Sequence, residues 1–243
     1  MLKSHPRAIS FEEDSCIWRY MNIEKYFSMI SEKSLFFCRS DKFGDSLEGE
    51  HLKKEQEFQK EQIGNIEPLL YTKECMKKEI LVNCWHINKS ESSYMWENFV
   101  LPKSGIAIKT NGKILRSVLS ENNSEFILSK IRYINHQKGI WNSHDYRAEY
   151  LNMFIPFVHV RKEFENENEL RIIHRLDENG WITEEYWQKQ PHQVGKFINV
   201  NLTNLIEKIV FSPNLSQLEI ESIKEKSQNL GYDFQFEKSK FLN

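Results

Sequence analysis

The 243-residue chain is short of residues that interrupt regular structure: nine glycines, six prolines, no Gly/Ser-rich or Pro-rich linker and no internal repeat. A single globular domain over 1–243 is the expectation. Cysteine is also scarce. Cys16, Cys38, Cys75 and Cys84 are widely spaced and form no C-x-x-C pair, which excludes the common zinc and thiol-redox motifs and leaves reduced, partly buried thiols. Neither sign of charge dominates, with 33 Lys and Arg against 35 Asp and Glu, so no overall field draws the protein to nucleic acid or an anionic membrane. No uninterrupted apolar run reaches membrane-spanning length, and the first fifteen residues hold no apolar stretch of signal-peptide size. A cytoplasmic protein without a membrane partner is predicted.

Motifs of several enzyme classes are missing as well. There is no Gly-rich phosphate loop of the Rossmann or P-loop kind, and no Gly-x-Ser-x-Gly elbow for a serine hydrolase. His136, His144, His159 and His174 do not fall at i, i+4 spacing beside a glutamate, so no metal is expected.

What is present is a core-forming composition, 40% hydrophobic, on a background rich in Lys, Asn, Glu and Ile, as an AT-rich bacterial coding bias gives. Short apolar or alternating runs predict strands over 16–20, 34–39, 79–86, 105–110, 127–134, 197–202, 205–211 and 232–236. Helical spacing predicts helices over 22–31 (capped by Asn22), 90–99, 113–119, 146–158 and 216–230, the last with Ser216 and Glu219 as a capping box. The segment 48–78, rich in Glu, Gln and Lys, reads as a solvated helical insertion. Asn111-Gly112 carries turn chemistry. This order fits an α+β domain with mixed, largely antiparallel sheets and flanking helices better than a regular βαβ array.

The best clue to chemistry is Lys162-Glu-Phe-Glu-Asn-Glu-Asn-Glu-Leu-Arg171, where acid and base alternate before an apolar run. In a strand, Glu167, Glu169 and Arg171 share one face. That face is either the wet side of an edge strand, whose charges discourage pairing, or two carboxylates and a guanidinium converging on a site. The alternative for Arg171 is to tie up either acid in a structural ion pair. Elsewhere, Arg19 lies between Trp18 and Tyr20, as a stacked core-edge cation or as a ligand anchor. Trp96 and Met95 fill a core or contact a planar ring. His86 is a hydrogen-bonded core histidine or a titrating group. Asp41 and Asp45 shape a turn, with Glu48 as a further site candidate.

Arg19, the run Leu35-Phe-Phe-Cys-Arg-Ser-Asp-Lys-Phe-Gly-Asp45 with Glu48, Cys84-Trp-His86, Met95-Trp96, Gly105-Ile-Ala-Ile, Phe164-x-x-Glu167-x-Glu169-x-Arg171 and Ile209-Val-Phe-Ser-Pro213 occur in one order. Together they resemble a bacterial family, domain of unknown function 2971, across most of the chain. The order of an arginine strand, a helix, further strands and a Glu-x-Glu strand also resembles the ADP-ribosyltransferase arrangement. That resemblance implies an ADP-ribosyltransferase-like fold with NAD as co-substrate. Arg19 would meet the phosphates or ribose, the Cys84-Trp-His86 strand would line the nicotinamide side, and Glu169 would be the catalytic acid residue, with Glu167 orienting or deprotonating the acceptor. Trp96, Arg171 and Glu48 complete the expected set as substrate- or cofactor-binding residues. The chain departs from the transferase pattern at His86, where that family holds serine. The implied activity is transfer of ADP-ribose to an unidentified macromolecule, or hydrolysis of NAD, as in a toxin or antiphage effector. The alternative is a non-catalytic domain that binds a nucleotide or protein in the same cleft.

Overall fold

The computed structural model describes residues 1–102, 104–136, 154–176 and 194–241. Among these, helices flank a mostly antiparallel sheet of nine strands, and a separate two-stranded sheet lies beside it. The large sheet is built on β1 (Cys16–Asn22), β2 (Ser34–Arg39), β3 (Ile80–Ile87) and β4 (Gly105–Asn111). Further strands are β5 (Ile127–Lys130), β8 (Glu169–Arg175), β9 (Gly195–Asn199), β10 (Lys208–Phe211) and β11 (Phe236–Lys238), while β6 (Arg132–Ile134) and β7 (His159–Arg161) form the small parallel sheet.

β1 shows why the sequence folds this way. Its alternation sends Ile17 and Met21 to one face, where they pack with Phe37, Leu81, Trp85, Ile108 and Leu170, and sends Trp18 and Tyr20 to the other, against Met95, Trp96 and Val210. β4 pairs with β1 from Cys16↔Asn111 to Asn22↔Gly105. A side chain at Gly105 would run into the Met21 carbonyl, so glycine is what allows that last rung. Asn22 then ends the strand and starts α1 (Ile23–Ser31), its Oδ1 accepting the Lys25 N–H at 2.9 Å.

β3 carries the feature that makes a site. β8 occupies one of its edges without a break, from His86↔Glu169 to Ile80↔Arg175. The opposite edge is divided. β1 takes only its far end, at Ile17↔Ile87 and Trp18↔His86, and β2 only its near end, at Cys38↔Val82 and Arg39↔Leu81. Residues 83–85 pair with neither, although the Asn83 side chain donates to the Phe36 carbonyl at 2.8 Å. The sheet therefore parts between β1 and β2, with α1 connecting them.

The Glu-, Gln- and Lys-rich segment forms α2 (Lys53–Ile63) and α3 (Glu67–Glu79). α4 (Ser93–Phe99) is capped by Ser92, and a C-terminal helix (Gln217–Asn229) opens with the Ser216–Glu219 capping box. Four expectations need correction. Asn111-Gly112 is not a turn: Asn111 caps α5 (Gly112–Ser120), accepting the Ile114 N–H at 2.9 Å. The strand foreseen over 127–134 breaks at Ile131, whose N–H turns to the Glu169 carbonyl and whose side chain is buried, so its two halves join different sheets. Residues 202–205 are a short helix, and the strand begins only at Lys208. The last strand lies at 236–238, because Tyr232 and Phe234 turn into the core and stack on each other. The helix foreseen at 146–158 falls largely outside the described residues, as does the turn after Leu176.

Candidate functional site

A cavity of about 850 Å³ occupies the parting in the sheet, a size typical of small-molecule sites. Of the residues singled out in the sequence, Arg19, Glu48, His86, Glu167, Glu169 and Arg171 all line it. Trp96 does not. It is buried behind the wall, edge-on to Tyr20 at 4.9 Å, with its indole N–H donating to Glu91 at 3.1 Å. Its contribution is to back Tyr20, whose ring meets His86 edge-on at 6.2 Å.

The acidic strand is shorter than its charge pattern suggests. β8 begins at Glu169; Glu167 belongs to a 3-10 turn (Lys162–Glu167) that ends at Asn168 in the left-handed conformation, φ 37°. Asn168 tolerates that conformation and donates from its side chain to the Ile87 carbonyl. Glu169 and Arg171 thus share a strand face, whereas Glu167 reaches the same cavity from the turn.

Arg171 is fully engaged. It is 2% exposed, and its guanidinium donates to Glu169 Oε1 at 2.9 Å, to Glu48 at 2.5 and 3.0 Å in a fork, and to the Phe157 carbonyl at 3.0 Å. Burial opposes its charge, but Glu169 and Glu48 outweigh burial and hold its pKa well above the usual value. Of the two sequence readings of Arg171, the structural ion pair describes it. Glu48 is committed to the same pair. It is held there by its own segment: Glu50 receives Lys73 and Lys77 of α3 at 2.6 and 2.8 Å, and Gly49 between them adopts φ 70°, with Phe157 and Lys77 packed where a side chain would project.

Arg19 is the opposite case. Among the described residues it makes no ion pair. One Nη reaches the Phe36 carbonyl at 3.5 Å, and the guanidinium lies over the Trp85 ring at 5.9 Å. Burial pulls its pKa down to about 10, so it remains charged at neutral pH. Lys25 of α1, exposed and without an ion pair among the described residues, lines the same cavity. Arg19 and Lys25 thus bring it positive charge that no described carboxylate pairs with.

Glu167 is the unpaired acid. Its carboxylate has no hydrogen-bond partner among the described residues, and burial, reinforced by the neighbouring Glu169, raises its pKa to about 7. His86 secures the backbone there. Its Nδ1 lies 2.6 Å from the Glu167 carbonyl, and a carbonyl only accepts, so Nδ1 carries the proton. Burial lowers the His86 pKa, keeping the ring neutral. His86 thus positions Glu167. The Tyr133 hydroxyl accepts the Glu169 N–H at 2.8 Å, and the Cys84 thiol beside Glu169 is held protonated by burial and by that carboxylate.

Asp45, read as a turn residue, does cap the Leu47 N–H, but it also lines the cavity and pairs with Arg161 at 3.0 Å. Lys25, Phe36 and Phe197 were not singled out at all. Their signal in the sequence is weak, because a helix lysine and two strand phenylalanines look like solvent and core. No group of histidine, cysteine, aspartate and glutamate side chains among the described residues is arranged to hold a metal ion, and no described helix is long and apolar enough to cross a membrane. No family model matches the chain, and neither the curated proteins nor the solved structures compared with it give a match.

Proposed function

We propose that the protein cleaves the N-glycosidic bond of NAD, passing ADP-ribose to a macromolecular acceptor or to water, on an ADP-ribosyltransferase-like fold of the kind its resemblance to the transferases implies. One observation carries the reading: a single cavity is lined both by a guanidinium with no ion pair among the described residues, Arg19, and by two carboxyl groups of different character, Glu169 and Glu167.

The chemistry follows from that lining. Arg19 would hold the phosphates, which supply the anion it lacks. As the bond between the ribose carbon and nicotinamide breaks, positive charge grows on the ribose; the Glu169 carboxylate, fixed by Arg171 while Tyr133 holds the Glu169 backbone N–H, would face it. Nicotinamide departs with the bonding electrons. The acceptor oxygen or nitrogen then bonds to the same carbon and surrenders a proton, for which Glu167, titrating near 7, is the suited base. The wall of Tyr20, Met95 and His86 would flank the leaving ring.

A second reading has its own support. Arg171 already neutralises part of the Glu169 charge, which suits a cleft that binds a nucleotide without breaking it. Incubation with NAD carrying separate labels on nicotinamide and adenylate separates the two. Under the first reading wild type releases nicotinamide, and Glu169→Gln lowers the rate by about 10²–10³-fold with an unchanged melting midpoint, because Glu48 still pairs with Arg171. Intact NAD that nevertheless raises the melting midpoint supports binding alone. Intact NAD with no such shift ends both.

A further inference from the structure

We propose that Phe36 and Phe197 form a stacking subsite for the distal heteroaromatic base of a dinucleotide, so that the substrate is recognised at both ends and a mononucleotide is a poor ligand. The inference rests on the reading above and extends it to the part of the ligand remote from the breaking bond.

The two rings face each other across the β2–β9 pairing, where Phe36 is in register with Phe197, and their centroids lie 5.0 Å apart at 57°. Both line the cavity. Phe197 is nonetheless 42% exposed, on an edge strand where a polar residue would serve folding equally well. A large ring left open at a cavity mouth is a surface that a flat partner covers with favourable contact. Its neighbours specify the chemistry of that partner. The Phe36 carbonyl accepts from Arg19 at 3.5 Å, which ties a guanidinium without an ion pair among the described residues to the backbone that carries one of the rings. Lys25, exposed and without an ion pair among the described residues, stands on α1 at the same cavity. One cavity thus holds an aromatic pair, a cation bonded to the backbone of one of its members, and carboxylates on the strand next to β3 and the turn before it, the three chemistries that a base, phosphates and the second ribose of a dinucleotide call for.

Titration calorimetry with two ligands that contain no nicotinamide bond tests this, using ADP-ribose, which has the base, and ribose 5-phosphate, which does not. Wild type is expected to prefer ADP-ribose by about tenfold or more. Phe197→Ala should weaken ADP-ribose by about tenfold and leave ribose 5-phosphate unchanged, while Phe197→Tyr keeps the preference; Phe197→Tyr should also keep the wild-type melting midpoint, and Phe197→Ala, which gives up the ring contact with Phe36, should lower it by no more than a few degrees. Equal affinities in wild type, failure of both ligands to bind, or an indifferent Phe197→Ala overturns the subsite. Failure of the cleavage reading looks different: NAD stays intact while the preference for ADP-ribose, and its loss in Phe197→Ala, persist.

Discussion

Two arginines enter this cavity from neighbouring regions of the sheet, and they differ in everything except charge. Arg171 has two carboxylates and a carbonyl arranged around it; Arg19 has one distant carbonyl and an aromatic ring. A buried cation with its counter-charges built in is part of the scaffold, whereas one without them leaves a vacancy of a definite sign. The sequence marked both residues as site candidates, and only their partners tell them apart.

That contrast can be tested by removing each charge in turn. The largest effect is expected for Arg171→Met, which strands Glu48 and Glu169 in a buried pocket and should cost about 3–5 kcal/mol in denaturant unfolding. Adding Glu48→Leu to that background should recover part of the loss, since one of the stranded charges is gone; no recovery would mean that the fork to Glu48 is not what Arg171 stabilises. Arg19→Met should change stability by no more than about 1 kcal/mol, in either direction, because no internal anion is left behind. The same variant should bind pyrophosphate at least about tenfold more weakly by calorimetry. A large stability loss there would erase the distinction between the two arginines.

The acids yield a subtler test. Unfolded, the Glu167 carboxyl titrates at an ordinary 4.5, and folded near 7, so the folded state retains a proton that the unfolded state releases between those values. The stability it contributes is therefore complete below about pH 4.5 and is lost as pH rises towards 7. Glu167→Gln should flatten that decline in midpoints measured from pH 4 to 8; an unchanged slope would show that Glu167 is not the titrating group. The smallest effect is expected for Lys25→Ala, which should leave stability within about 0.5 kcal/mol and lower the salt sensitivity of anion binding, because the residue is exposed and screened.

Local rules made much of the fold legible. The alternating faces of β1, the Asn22 cap and the Ser216–Glu219 box each depend on residues within a few positions of one another. The misreadings share a different cause. Glu167 looks like a strand residue until Asn168 takes the left-handed conformation, and the break at Ile131 becomes visible only once its N–H finds Glu169. Trp96 carries an aromatic signal common to cores and ligand sites, and packing behind Tyr20 assigns it to the first. The site itself was half legible: six of the candidates meet, but the commitment of Arg171 depends on Glu48, 123 residues away in the chain, a separation no local pattern spans. Phe197 escaped notice because an aromatic on a short strand is ordinarily core.

The divided edge of β3 sets a limit on how stable this protein can become. Were β1 and β2 to zip further toward each other along residues 83–85, the ladder would gain rungs and the hollow would close. Substitutions that improve strand pairing at that seam should therefore yield a sturdier molecule with nowhere to receive a guest: the open seam gives room in place of rigidity.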